Sequence, residues 1–203
     1  MSETSDTGSA NKNILKPERL SAWVDGIFAF AMTLLVITID VPKVPIDQLA
    51  HAVYSNWQNF TAFVTSFLLL AVFWIQHQRI FNNVARINET FIWLNIFNMM
   101  FVVFIPFTTN LVEDYSHSVF ATVMFNSNLL IVGYVNCMLY KCVYRYKLVE
   151  VESLDIKPEL HRFYVIPITS ILAIFVSFIF PSHGGLVYLL IPIYYRFKNI
   201  LKT

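Results

Sequence analysis

Asp25 opens the run Asp-Gly-Ile-Phe-Ala-Phe-Ala-Met-Thr-Leu-Leu-Val-Ile, so a carboxylate stands about one turn into an apolar stretch. Ionisable groups in hydrocarbon are costly, and where they occur they are paired or functional. Two chemistries fit this one. The acid can be an interfacial anchor, satisfied by Arg19 or by a donor on a neighbouring element. It can also be a cation ligand or a proton site. His77, in Phe73-Trp-Ile-Gln-His-Gln-Arg79, closes a second apolar stretch. Asp25 and His77 could meet across elements, and such a pair would titrate near neutral pH. The simpler alternative is a satisfied interfacial histidine. Trp74 and Trp93 suit interfacial or packing roles. Asn95 and Asn98 share a face and suit interhelical hydrogen bonds, as do Asn126, Ser127, Asn128 and Asn136. Pro106 is expected to kink its helix and free a carbonyl, with Thr108 or Thr109 at hand to satisfy it.

The elements that must position these groups are membrane helices. Of 203 residues 57% are hydrophobic and only 13% charged, with mean hydropathy +0.59. Soluble domains carry about 25% charge, so the composition points to a surface that faces lipid. The balance of 14 basic and 13 acidic residues lacks the surplus a nucleic-acid partner requires. The polar stretch Met1 to Asn13 has no apolar core behind a basic start and does not read as a signal peptide. Residues 1–15 are expected to be a disordered cytoplasmic tail and residues 16–203 a single transmembrane domain.

Six apolar segments follow, each near the length that spans a bilayer: about Leu20 to Val41, Phe60 to Ile75 with an amphipathic lead-in near Asp47, Phe91 to Leu111, Val119 to Tyr140, Phe163 to Phe180 and Leu186 to Tyr195. The last spans only if Tyr194 to Leu201 extends it. Their continuous apolarity excludes alternating barrel strands. Thirteen of the fourteen Lys and Arg fall before segment one, between two and three, between four and five, or after six; only Lys43 does not. By the positive-inside rule both termini are cytoplasmic and the number of spans is even. The fold class is therefore an all-α integral membrane protein with six transmembrane helices, multi-pass in the cell membrane.

Nothing in the chain points to an enzyme. There is no Walker A, GxGxxG, HExxH or GxSxG motif, and no metal or organic cofactor is expected. Cys137 and Cys142, five apart in one helix, point to different faces and suit neither a disulfide nor a metal pair.

At about 100° per residue, Arg19, Trp23, Gly26, Phe30, Leu34, Ile37 and Val41 form one stripe on the first helix, with Thr33 at its edge. Asp25 lies about 140° round from Phe30. If the stripe faces a pore, Asp25 faces protein and is an anchor. Ordinary helix packing would produce the same stripe.

The ordered motifs resemble the transmembrane protein 175 family of potassium channels. That family carries Arg, three residues, then Phe-Ser-Asp and Gly-Val-Phe-Ala-Ile-Ala-Ile-Thr-Leu-Leu-Val in its first helix. Here Arg19, Asp25 and Gly26 match, while Trp23 and Val24 replace Phe and Ser. Phe73-Trp-Ile-Gln-His77, Trp93-Leu-Asn95 and Ile105-Pro-Phe107 resemble further family segments. The resemblance covers about Lys16 to Tyr115; the second half matches in hydropathy.

This resemblance implies a homotetramer with a central pore lined by helix 1, passing monovalent cations with potassium preferred. The constriction and selectivity element would be Phe30, Thr33, Leu34 and Ile37. Arg19, Trp23, Asp25, His77, Trp93 and Asn95 would form the network holding the lining helix. There is no Thr-Val-Gly-Tyr-Gly filter in the sequence. Phe30 stands where the family usually has Ile or Leu. The alternative function is a proton-coupled or small-solute transporter with Asp25 and His77 as relay. It would need a polar midplane site, where this sequence offers only hydroxyls and amides, and an inverted repeat, which it lacks.

Overall fold

The computed structural model describes residues 15–37, 39, 42–55, 57–115, 117–149, 157–180 and 187–188. These form α1 (Pro17–Ile37), α2 (Leu49–Ser55), α3 (Trp57–Phe81), α4 (Glu89–Asp114), α5 (Val119–Arg145) and α6 (Lys157–Ile179). Among the described residues five helices are long and apolar enough to cross a membrane: α1, α3, α4, α5 and α6. The amphipathic lead-in to the second segment is the short α2. The expected tail at 1–15 lies outside the described residues except for Leu15, and the sixth segment except for Val187 and Tyr188.

Three of the helices start where the sequence supplies a cap or a favourable first residue. Pro17, which has no amide to leave unpaired, is the first residue of α1. The Asn88 side chain accepts the Phe91 N–H at 2.8 Å, and Ser118 caps α5 by accepting the Ala121 N–H. At the end of α5 the Leu148 N–H donates to the Val143 carbonyl at 2.9 Å and the Lys147 N–H to that of Tyr144 at 3.2 Å. With Lys147 at φ 50, this is a Schellman closure. The Leu148 carbonyl then accepts both the Ala85 and the Arg86 N–H, at 2.8 and 3.1 Å, tying the α3–α4 turn to the chain leaving α5.

α1 packs on α3 and α4, α4 on α5, and α5 on α6. The buried face of α1, Val24, Phe28, Ala31 and Leu35, joins Leu69, Leu70 and Phe73 of α3 and Met99, Val102 and Ile105 of α4 in one core. A second core, at the end that carries the α3–α4 turn, joins Leu20, Ile80, Phe81, Phe91, Tyr140 and Phe163. α5 and α6 approach closely at Gly133, where a Cβ would stand 2.9 Å from Pro167 Cδ.

Polar groups bridge the helices inside this framework. Asn98 donates to Asn136 at 2.7 Å, both fully buried. Tyr188 donates to Asn126 at 2.6 Å, and Asn126 donates to Ser177. The Cys137 thiol lies 3.2 Å from the Phe163 carbonyl. One expectation, that Thr108 or Thr109 satisfies the carbonyl freed by Pro106, needs correction. Helix α4 runs unbroken through Pro106, and the Thr108 and Thr109 hydroxyls lie 3.0 and 2.9 Å from the Ile105 carbonyl, not from that of Val102, which the proline deprives of its amide. Threonine reaches back about one turn along its own helix, and Val102 is beyond that reach. Asn95 donates to the Phe91 carbonyl of its own helix at 2.7 Å and stands beside His77 of α3.

Candidate functional site: the outer face of helix α1 and its anchor

Helix α1 divides into two faces. Leu20, Val24, Phe28, Ala31 and Leu35 recur at three- and four-residue steps and are buried in the chain's own core. The opposite face is open: Phe30 is 59% and Ile37 74% exposed, Thr33 is exposed, and Leu34 is partly so. Phe28, by contrast, is 1% exposed. From Arg19 to Ile37 the stripe read from sequence is thus a face of α1 left uncovered, with Gly26 in open space near its centre; Val41 lies outside the described residues.

The open face is almost without charge. Its polar group toward the far end is Thr33, whose hydroxyl donates to the Phe30 carbonyl at 2.8 Å. With its proton committed to the helix, the oxygen presents lone pairs outward, the polarity a cation requires.

Asp25 is turned away from that face, toward α3. Its carboxylate accepts from the Trp74 indole N–H at 2.9 Å and from the Gln78 side-chain amide. Trp74 and Gln78 are four residues apart on one face of α3 and grip the acid from two levels. The donors that satisfy Asp25 thus stand on a neighbouring helix. The partners differ from those expected: neither His77 nor Arg19 supplies them, nor does the Trp93/Asn95 helix.

His77 lies on the adjoining side of α3, 1% exposed. Its ring stacks on Phe81 at 5.0 Å and meets the edge of Phe28 at 6.0 Å, with Asn95 beside it. Neither ring nitrogen has a hydrogen-bond partner of good geometry. Asp25 and His77 therefore share no direct hydrogen bond: the acid is held by Trp74 and Gln78, and the imidazole packs on Phe81 and Phe28.

The expected network is only partly assembled within one chain. Asp25, His77 and Asn95 are inside the bundle, while Arg19, Trp23 and Trp93 are exposed, Trp93 by 67%. Trp93 stands on an open face of α4 with Glu89, Thr90, Leu94 and Phe97. Sequence reading missed Trp74 and Gln78 as the acid's ligands. The available signal was two side-chain N–H donors four residues apart on a helix that ends in the same interface as Asp25.

Comparison with known proteins bears on this site. Residues 19–106, which contain the open face of α1, the Asp25 anchor and the open face of α4, match the family model described as the endosomal/lysosomal potassium channel TMEM175. A protein of Chamaesiphon minutus named a potassium channel is 42% identical over 100 residues, 48% of this chain and 49% of that one. One of Streptomyces collinus, also named a potassium channel, is 37% identical over 98 residues, 48% of each. The matched stretch thus spans about half the length of these curated relatives. The crystal structure of a lysosomal potassium-selective channel TMEM175 homolog from Chamaesiphon minutus superposes with a TM-score of 0.76 at 29% identity, covering 90% of this chain and 97% of the other.

Proposed function

We propose that this chain, whose residues 19–106 match the TMEM175 family model, is a channel of that family and not an enzyme, and that this multi-pass membrane protein conducts potassium passively. Four copies surround a central pore, each contributing the open face of α1. The chain crosses the membrane six times with both termini cytoplasmic. Monovalent cations permeate, potassium is preferred, and no cofactor takes part.

The observation that supports this reading is the uncovered stripe of α1. It holds large apolar side chains and one hydroxyl, on a helix whose other face is fully buried. A single helix face cannot enclose a pathway, and closed cyclic symmetry is the common way for identical chains to do so. Phe30 rings meeting on the axis form the narrowest point, with Thr33, Leu34 and Ile37 deeper. An apolar ring offers an ion no ligands, so passage costs part of its water shell. Potassium holds that shell less tightly than sodium and loses less, and such a ring can also close by dewetting. Thr33 hydroxyl oxygens replace some of the lost water.

The decisive experiment is a bi-ionic reversal potential in a planar bilayer, potassium against sodium. The proposal expects passive current and a reversal potential displaced toward potassium. Flux that needs a second substrate or a proton gradient would replace it with the transporter reading.

A further inference from the structure

The uncovered surface of α1 is wider than a pore lining needs, and it is made of two unlike flanks. Phe30, Leu34 and Ile37 form the bulky flank. Ala22 and Ala29, about 80° and 100° round the helix from Phe30, form a flank of small side chains with Gly26 between the two. All three small residues are exposed, and a Cβ on Gly26 would meet nothing within 4 Å. Arg19 stands at the foot of this surface, in the first turn of α1, where the helix dipole disfavours a cation. On α4 the exposed face has the opposite character: Glu89 at its foot, then Trp93 and Phe97, exposed by 67% and 46%. Among the described residues neither Arg19 nor Glu89 has an ion-pair partner.

We infer that in the assembled protein the small flank of α1 receives the Glu89–Trp93–Phe97 face of α4 from a second copy of this chain. α1 and α4 are two spans apart and run in the same direction. With Arg19 opposite Glu89, equal rise per residue brings Trp93 level with the gap between Ala22 and Gly26. Phe97 comes level with the gap between Gly26 and Ala29. Large side chains then enter the recesses left by small ones, the arrangement that lets membrane helices approach closely. The charges are complementary and fix both register and direction. The contact joins unlike surfaces, so it is heterologous and closes a ring, leaving Phe30 of each copy free to face the axis. The inference rests on the multimeric reading above and adds to it the surface through which copies meet.

The test uses Arg19→Glu and Glu89→Arg in the full chain, with size-exclusion light scattering in mild detergent. Wild type is expected as a tetramer. Each variant alone places like charges at every contact and is expected to lose the tetramer peak. Co-expression of the two variants restores opposite charges at every contact of an alternating ring and is expected to restore the peak. Arg19→Cys co-expressed with Glu89→Cys is expected to give disulfide-linked heterodimers, and this readout does not depend on charge repulsion. Several outcomes overturn the inference while leaving the channel reading intact. One is a tetramer retained by both single variants. Another is rescue only when both substitutions are in one chain, which means a contact within the chain. A third is loss of binding to anionic-lipid vesicles by Arg19→Glu without loss of the tetramer, which assigns Arg19 to headgroups. Failure of the mixture together with absence of the cysteine cross-link overturns it as well. A wild-type protein that is monomeric in detergent and in bilayers fails the multimeric reading itself.

Discussion

The Trp74 indole N–H donates to the Asp25 carboxylate at 2.9 Å, so an acid on α1 is held by an aromatic donor on α3, 49 positions along the chain. Gln78, one turn further on, supplies a second donor to the same oxygen. This grip fixes the rotation of α1. With Asp25 turned to α3, Phe28 points into the core and Phe30 out of it.

Loss of either donor is therefore expected to loosen α1 while leaving the ion pathway chemically unchanged. Trp74→Phe and Gln78→Leu should each cost about 1 kcal/mol, near the range for polar contacts between membrane helices. Asp25→Asn should lower assembly yield more than it alters ion preference. Thermal unfolding in detergent and reversal potentials of the surviving channels measure the two effects separately. An Asp25→Asn channel of normal stability with a shifted reversal potential would place the acid on the pathway.

Phe30 and Phe28 offer a paired comparison two residues apart. Phe30→Ala should raise conductance and reduce discrimination between potassium and sodium, because a wider ring wets more readily. Leu34→Ala and Ile37→Ala should do so more weakly. Phe28→Ala empties a fully buried site and should cost about 3–5 kcal/mol of stability without moving the reversal potential. Recordings in which the two phenylalanines exchange these phenotypes would put the other face of α1 in the pore.

Gly133 and Pro167 meet in a close contact between α5 and α6. An added Cβ at Gly133 would stand 2.9 Å from Pro167 Cδ and 3.0 Å from its Cγ, inside van der Waals contact with a rigid ring. Gly133→Ala should cost about 1–3 kcal/mol, the usual range for overpacking. Pro167→Ala in the same chain should recover part of that loss. Melting temperatures of the single and double variants decide it; equal melting for wild type and Gly133→Ala contradicts the contact.

Lys147 closes α5 at φ 50, a region in which a Cβ is disfavoured. Lys147→Gly removes that penalty and should stabilise the protein by about 1 kcal/mol, whereas a β-branched Lys147→Val should destabilise it by at least as much. Denaturation of the purified variants checks the sign of each change.

The buried His77 ring is packed between Phe81 and Phe28, and neither nitrogen forms a hydrogen bond of good geometry, with Asn95 the polar group beside it. His77→Phe keeps the aromatic volume and deletes two unpaired polar atoms, so stability should be equal or higher. A drop of about 2 kcal/mol or more in unfolding free energy would mean that a ring nitrogen carries a bond essential to the fold.

The membrane class and five of the spans were legible from composition and from the placement of basic residues. These depend on summed transfer energies, which each segment carries alone. The open and buried faces of α1 were legible as well, because a helix converts residue spacing directly into direction. The partners of Asp25 were not. Spacing gives the direction in which the acid points, but which of Arg19, His77, Trp74 or Gln78 meets it depends on how α3 is rotated about its own axis. That rotation is settled by packing: Phe73, Ile80 and Phe81 turn inward with His77 among them, which leaves Trp74 and Gln78 toward Asp25. The same holds for the asparagines. Asn95 and Asn98 look alike in sequence, yet Asn98 meets Asn136 while Asn95 bonds back to Phe91, because only the former finds an amide opposite it on α5. Local periodicity determines which way a side chain faces. The tertiary structure alone decides what stands there, since that depends on contacts between segments far apart in the chain.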